Sequence, residues 1–326
     1  MKSELQKYCE LFIANKEKMK ESSWEYVSIY TVVANMFTAK NLEADVEKMK
    51  ECKKLLKEKT GALSNFRGNV MLPAMSMLAL DEDPEARMER ANVIYKKLKE
   101  EFKPSEFMTL AAMILAGMVS EDEADEYVKR GKTLYKMMKK EHPFITGSED
   151  AIFAILLAFS DKSDEEIISN VEKTFSELKN YEFSSDGIQT VSLLFALTEG
   201  DNKERCDRLV KVREMLKEEG RKYGKDFEIC VLAALVMLPV ELETIVEEML
   251  EIDEFLSNQK DYGFLGYDKR ERLMHSAMLL GGFYSTEDSN NDLGAIASTM
   301  AMLVVQQAIL FAVIGATVVA SSGGGN

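Results

Sequence analysis

The chain repeats itself about every 40 residues, and this period restricts the fold more than any other feature. An aromatic residue stands ahead of each apolar stretch, at Phe66, Phe102, Phe144, Phe183, Tyr223 and Phe264, with spacings of 36, 42, 39, 40 and 41. A second series, Leu56, Leu98, Met138, Leu178, Leu216 and Leu256, advances by 42, 40, 40, 38 and 40. Two registers sharing one period mark a chain assembled from copies of a supersecondary unit.

Each copy has the same grammar. An apolar segment comes first, such as 149–159 (EDAIFAILLAF) or 186–197 (DGIQTVSLLFAL). A helix of that kind is apolar nearly all round and has to be buried on most sides. A short polar tip follows, and then an amphipathic stretch such as 164–178, with Ile167, Val171, Phe175 and Leu178 on one face. The tips carry helix-start signals. Ser22/Glu25, Ser120/Glu123 and Ser163/Glu166 fit the capping box, in which the hydroxyl takes a backbone N–H and the carboxylate reaches back to the cap. Asp83-Pro84 supplies an N-cap followed by proline at the first helical position, and Pro239 separates two helices in a similar way. With only 5 prolines and an apolar set rich in Met, Leu and Ala, the composition favours helices over strands.

These patterns predict an all-α fold of tandem helical hairpins. The hairpins fall at 22–58, 66–102, 105–140, 148–180, 186–220 and 226–258, with a partial seventh through Leu273, Ala277 and Leu280. Residues 1–20 read as a lead-in helix that caps the array. One hairpin cannot bury its own apolar helix, so neighbours stack into an α/α superhelix, either an open solenoid or a closed α/α toroid. Periodicity does not separate these two. Residues 1–286 thus form a single helical-hairpin repeat domain, 287–294 a polar linker, 295–320 an apolar C-terminal helix and 321–326 a flexible tail. As a helix, 295–320 would span ~39 Å, long enough for a bilayer core. Gln306-Gln307 in its middle, and flanks without Lys, Arg, Trp or Tyr, point instead to burial in the fold or in a homo-oligomer interface.

A formal net charge of −15 repels phosphate backbones and speaks against nucleic-acid binding. The short basic runs Lys96-Lys97 and Lys139-Lys140 lie late in predicted helices, where cations complement the dipole. Cys9, Cys52, Cys206 and Cys230 form no C-x-x-C pair and read as reduced thiols. The charged N-terminal sequence has no apolar run of signal-peptide length, so the expected compartment is the cytoplasm.

Little in the sequence announces chemistry. His142 and His275 are the 2 histidines, and neither has a second His or Cys at ligand spacing, so no metal site is expected. Dinucleotide, P-loop, nucleophile-elbow and calcium-loop signatures are missing, and no cofactor is expected. Carboxylates cluster at Asp81-Glu82-Asp83, at 121–126 and around Asp161 and Asp164, always at helix starts where capping accounts for them. A closed ring of hairpins could also set such acids at its mouth as an acid/base pair. The most distinctive loop runs from Asp261 to Tyr267. Tyr262, Phe264 and Tyr267, with His275 nearby, form the candidate ligand or partner loop. The competing reading is a tight turn plugged by an aromatic, as in the earlier units.

Four stretches carry a family resemblance: 134–159 (LYKMMKKEHPFITGSEDAIFAILLAF), 65–68 (NFRG), 264–273 (FLGYDKRERL) and the apolar tail around Gln306-Gln307. They resemble an uncharacterised family found mainly in Firmicutes, the domain of unknown function numbered four thousand and three. The resemblance implies a bacterial helical protein and carries no activity or catalytic residue. A weaker, architectural likeness links 183–197 to the hairpin rings of terpene cyclases and protein prenyltransferases. Asp81-Glu82-Asp83-Pro84 is not their acidic D-x-D-D, and their zinc ligands are missing.

The reading that follows is a cytoplasmic helical-repeat binding or scaffold protein with a groove or cavity for a peptide, protein or apolar ligand. It leans away from an enzyme. The alternatives are a toroid enzyme using rim carboxylates and a membrane-tethered adaptor held by 295–320.

Overall fold

The structure, a computed structural model, describes residues 1–21, 29–68, 70–197, 200–226, 228–262 and 266–288. Among the described residues every regular element is helical. Seven helices are long and amphipathic: α1 (Ser3–Glu21), α3 (Val46–Lys59), α5 (Pro84–Glu101), α7 (Glu121–Glu141), α9 (Asp164–Leu178), α11 (Asn202–Glu218) and α13 (Leu242–Ser257). Between them lie α2 (Tyr30–Thr38), α4 (Met71–Ala79), α6 (Glu106–Ala116), α8 (Asp150–Leu157), α10 (Ser185–Ala196), α12 (Glu228–Val236) and α14 (Lys269–Asp288).

The two sets differ in burial as their sequences require. Every residue of α4, α8 and α12 is buried. By contrast α7 buries one stripe, Ala124, Val128, Gly131, Leu134 and Met138, at helical spacing. Helices as short as α8 are marginal alone and exist here because neighbours enclose them. Several of their hydroxyls are satisfied within the helix. The hydroxyls of Thr38, Ser76 and Ser192 each donate to the carbonyl four residues back, at 2.7–2.8 Å. Gly131 lets α7 approach α8 closely, since a Cβ there would lie 2.8 Å from the Ile155 Cα.

Each even-numbered helix packs against the next even-numbered one, and α14 packs in turn on α2 and α1. The odd-numbered helices from α3 to α13 form a matching outer series. The array is therefore closed. At the seam a Cβ on Gly282 would meet the Tyr8 hydroxyl at 2.2 Å, the Tyr8 and Phe283 rings are 5.8 Å apart, and Tyr8 Oη reaches Asn35 Oδ1 at 3.5 Å. Two lysines of α1, Lys16 and Lys20, grip Asp261 at 3.0 and 2.5 Å.

Closure changes the phasing of the hairpins. Each outer helix packs on the inner helix that follows it, so α1 is the outer member of the first pair and not a cap. The last pair, α13 and α14, is likewise complete. The capping boxes at Ser120/Glu123 and Ser163/Glu166 form as expected, and Asp83 caps α5 ahead of Pro84. Ser22/Glu25 lies outside the described residues, as do Trp24, Phe264 and 289–326, which includes the apolar segment 295–320. Among the described residues no helix is long and apolar enough to cross a membrane.

A second ladder emerges from the side chains. Lys48, Arg90, Arg130 and Arg208 each reach carbonyls at the end of the inner helix of their own pair. Lys48 binds Asp81 O at 3.0 Å, Arg90 binds Ala116 O at 2.7 Å, Arg130 binds Ala158 O at 2.9 Å and Arg208 binds Val236 O at 3.0 Å. The cations meet the negative ends of the inner-helix dipoles. The equivalent position on α9 is Asn170.

Candidate functional site

Three of the four residues singled out from the last loop come together. The Tyr262 hydroxyl lies 3.0 Å from His275 Nδ1. The Tyr267 ring stands edge-on to the imidazole at 4.8 Å and tilted against Tyr262 at 5.0 Å. Lys16 covers the Tyr262 ring at 4.8 Å. The loop is drawn tight by a 2.8 Å bond from Tyr267 N to Asp261 O, and a Cβ on Gly266 would strike that same carbonyl oxygen. Burial, helped by the Lys16 charge, pushes the His275 imidazole down to about 3. Burial also raises Tyr262 well above the ordinary tyrosine value and pushes Tyr267 up to about 12. At neutral pH the cluster is therefore an uncharged imidazole between two intact phenols, placed where the ring closes.

The buried carboxylates are dispersed, each with its own partners. Asp253 is held by Arg272 at 2.6 Å and Arg221 at 3.1 Å. Glu228 meets Arg270, and Glu248 meets the Tyr284 hydroxyl at 2.6 Å. Asp150 Oδ2 accepts from Gly147 N at 2.8 Å and from Gln189 Nε2 at 2.7 Å, while Gln189 Oε1 is buried with no hydrogen-bond partner. Burial pushes the Asp150 carboxyl up to about 7. His142 ends α7, 2.8 Å from Glu172 and with its ring tilted against Phe175 at 4.3 Å. The acid clusters at the helix starts act as caps and ion pairs, as with Asp81 to Arg87 and Asp164 to Arg130. No group of three or more His, Cys, Asp or Glu among the described residues could hold a metal ion. All four cysteines are buried free thiols, and burial pushes Cys9, Cys206 and Cys230 up to about 12.

An open cleft lies on the outer wall, between α11, α13 and the start of α14. This cleft of about 780 Å³ has an apolar floor of Met215, Val246 and Leu250. Six carboxylates line it (Glu219, Glu243, Glu247, Glu251, Asp253 and Glu254) against two arginines, Arg221 and Arg272. Both arginines bind the buried Asp253. Arg221 is still partly exposed, and Glu243 and Glu251 are paired with Lys211 at 3.3 Å and with the N-terminal amine at 2.5 Å, so Glu219, Glu247 and Glu254 give the mouth its acidic character.

The family model described as "Protein of unknown function (DUF4003)" matches residues 15–308. The chain belongs to the DUF4003 family. Among curated proteins, this DUF4003 member is similar to the uncharacterized protein YeaA of Bacillus subtilis (strain 168), 22% identical over 262 residues, which cover 78% of each chain. No solved structure matches it. The resemblance drawn from 134–159 and its companion stretches thus names the right family, and the family supplies no reaction. In this DUF4003 chain the acidic cleft is not among the features that the sequence pattern singles out. Its signal was present, as Glu243, Glu247 and Glu251 recur every four residues along one helix, beside Val246 and Leu250. That pattern gains meaning only once α11 and α14 are known to wall it in.

Proposed function

We propose that the protein is a binding protein, and that the cleft between α11 and α13 holds a cationic, partly apolar segment of another protein. The observation that supports this reading is the combination of an acidic mouth with an apolar floor in one concavity. Its volume falls in the usual range for ligand sites. Lysine or arginine side chains of such a segment would meet the Glu243, Glu247 and Glu254 carboxylates, while its apolar side chains cover Val246 and Leu250. The two local arginines are bound to Asp253, and Lys211, 3.3 Å from Glu243, is the cation that an incoming lysine or arginine would displace.

The test is a fluorescence-anisotropy titration of the full chain with a labelled amphipathic peptide rich in lysine. Affinity should fall steeply with added salt. Glu243→Gln, Glu247→Gln and Glu254→Gln together should weaken binding by about tenfold or more. Equal affinity in the wild-type and triple-variant proteins would remove the basis for this reading.

A further inference from the structure

Four loops from outer to inner helices place an aromatic of the 40-residue series inside the protein or partly so. Phe66, Phe102 and Tyr223 are buried and Phe183 is half-buried. In the loop between α7 and α8 the pattern breaks, and Phe144 is 99% exposed. Leu63, in the loop between α3 and α4, is 100% exposed. Tyr181, between α9 and α10, is 38% exposed. All three loops run from an outer to an inner helix, so antiparallel pairing puts them at the same end of the ring.

These tips are held out by structure at their bases. Beneath Phe144, Thr146 N donates to His142 O at 3.1 Å and Lys139 Nζ donates to Thr146 O at 2.6 Å. Thr146 turns inward in place of the aromatic. Beneath Leu63, Ser64 N donates to Gly61 O at 3.1 Å, and the Arg67 guanidinium donates to Thr60 O at 2.7 Å. A preorganised loop presents its apolar side chain at little entropic cost on binding.

The charge of the ring is sorted along the same direction. The outer helices start with acids, among them Glu47, Glu85, 121–123, 164–166, Glu204 and Glu243. Several end with lysines: Lys57 and Lys59, Lys99, Lys139 and Lys140, and Lys217. Antiparallel hairpins deliver those lysines to the end that bears the apolar tips. Lys139 and Lys140 are exposed just before Phe144, Lys57 before Leu63, and Lys179 before Tyr181. Acids share this end, Glu58, Glu100-Glu101, Glu141, Glu182 and Glu218-Glu219 among them, so its charge is mixed, while the largest acidic groups lie at the other end.

We propose that this end of the ring docks on an anionic lipid bilayer, with Phe144 and Leu63 entering the hydrocarbon and the neighbouring lysines meeting the headgroups. Apolar loop tips rimmed by lysines suit an interface that is greasy below and negatively charged above. The tips belong to the second, fourth and fifth helix pairs and stand apart around the ring. A flat bilayer reaches all of them at once. The proposal is independent of the acidic cleft, which lies on the outer wall.

The test is co-sedimentation of the full chain with phosphatidylcholine vesicles, with and without phosphatidylserine. The expected result is binding that needs phosphatidylserine and weakens with salt. Phe144→Ser and Leu63→Ser should each lower partitioning by roughly tenfold. Lys57→Gln with Lys140→Gln should lower it several-fold. Both tips are on the surface, so circular dichroism of the variants should match the wild type. Absence of binding to phosphatidylserine vesicles would overturn the proposal. So would equal binding by the tip variants, which would place the contact elsewhere, for instance in 295–320. A dimer in sedimentation velocity that Phe144→Ser converts to monomer would assign the tips to a second copy of the chain and equally overturn it.

Discussion

At the scale of single residues, Asp150 ties the stability of this ring to pH. An ordinary aspartate titrates near ~4, whereas burial raises Asp150 to about 7. The folded protein therefore holds this proton more tightly than the unfolded chain does. The resulting stabilisation is complete below the ordinary aspartate value and is lost as pH rises through about 7. Replacing Asp150 by Asn keeps an oxygen acceptor for Gly147 N and Gln189 Nε2 and removes the titration. In urea unfolding the advantage of Asp150→Asn over the wild type should be on the order of 2 kcal/mol larger at pH 8 than at pH 5. The sequence does not betray this residue. Asp150 looks like the other acids at helix starts, and only the loop at 142–149 and Gln189 from the neighbouring pair enclose it. Phe144 teaches the same lesson in reverse. Its place in the aromatic series suggests a plug, but the loop around it lets Thr146 fill the inward position.

At the scale of elements, the arginine ladder fixes how each outer helix sits against its inner partner. Arg130 alone serves Ala158 O at 2.9 Å, Ser160 O at 2.5 Å, Lys162 O and the Asp164 carboxylate at 2.9 Å. Arg130→Met should cost about 2 kcal/mol, because charge-assisted bonds to the end of α8 are lost. The unfilled position on α9 makes the opposite prediction. Asn170→Arg should add the missing rung on α9 and raise stability by about 1 kcal/mol in the same urea assay. Start signals such as Ser163/Glu166 were readable in advance because both partners lie within four residues. The arginine ladder has the same period as the leucine series, eight residues earlier, and could have been read from Arg90, Arg130 and Arg208. Its purpose could not, since each rung finds its carbonyls about 26 to 28 residues further on.

At the scale of the whole molecule, the question that periodicity left open is answered by contacts between the two ends of the chain. Lys16 meets Asp261 across 245 positions, and Tyr8 meets Phe283. No local pattern announces such a pairing, and for that reason the first helix read as a cap. Lys16 is only 2% exposed, so removing its partner strands a buried ammonium. Asp261→Ala should therefore cost about 3 kcal/mol. Hydrogen exchange should quicken in α1, α2 and α14 together, because they share the seam. If α1 alone loses protection, the seam is not the cooperative unit described.

The closed circuit of inner helices also governs how such a chain can change over generations. An open array can gain or lose a unit at either end and keep every other interface intact. Here both neighbours of each pair are already taken, so a duplicated unit has no vacant flank to join. It would have to part α14 from α2 and widen the whole circle, straining every other joint. Lengthening by duplication, the usual route for repeat proteins, is closed to this architecture, and variation is directed into the loops at its two ends.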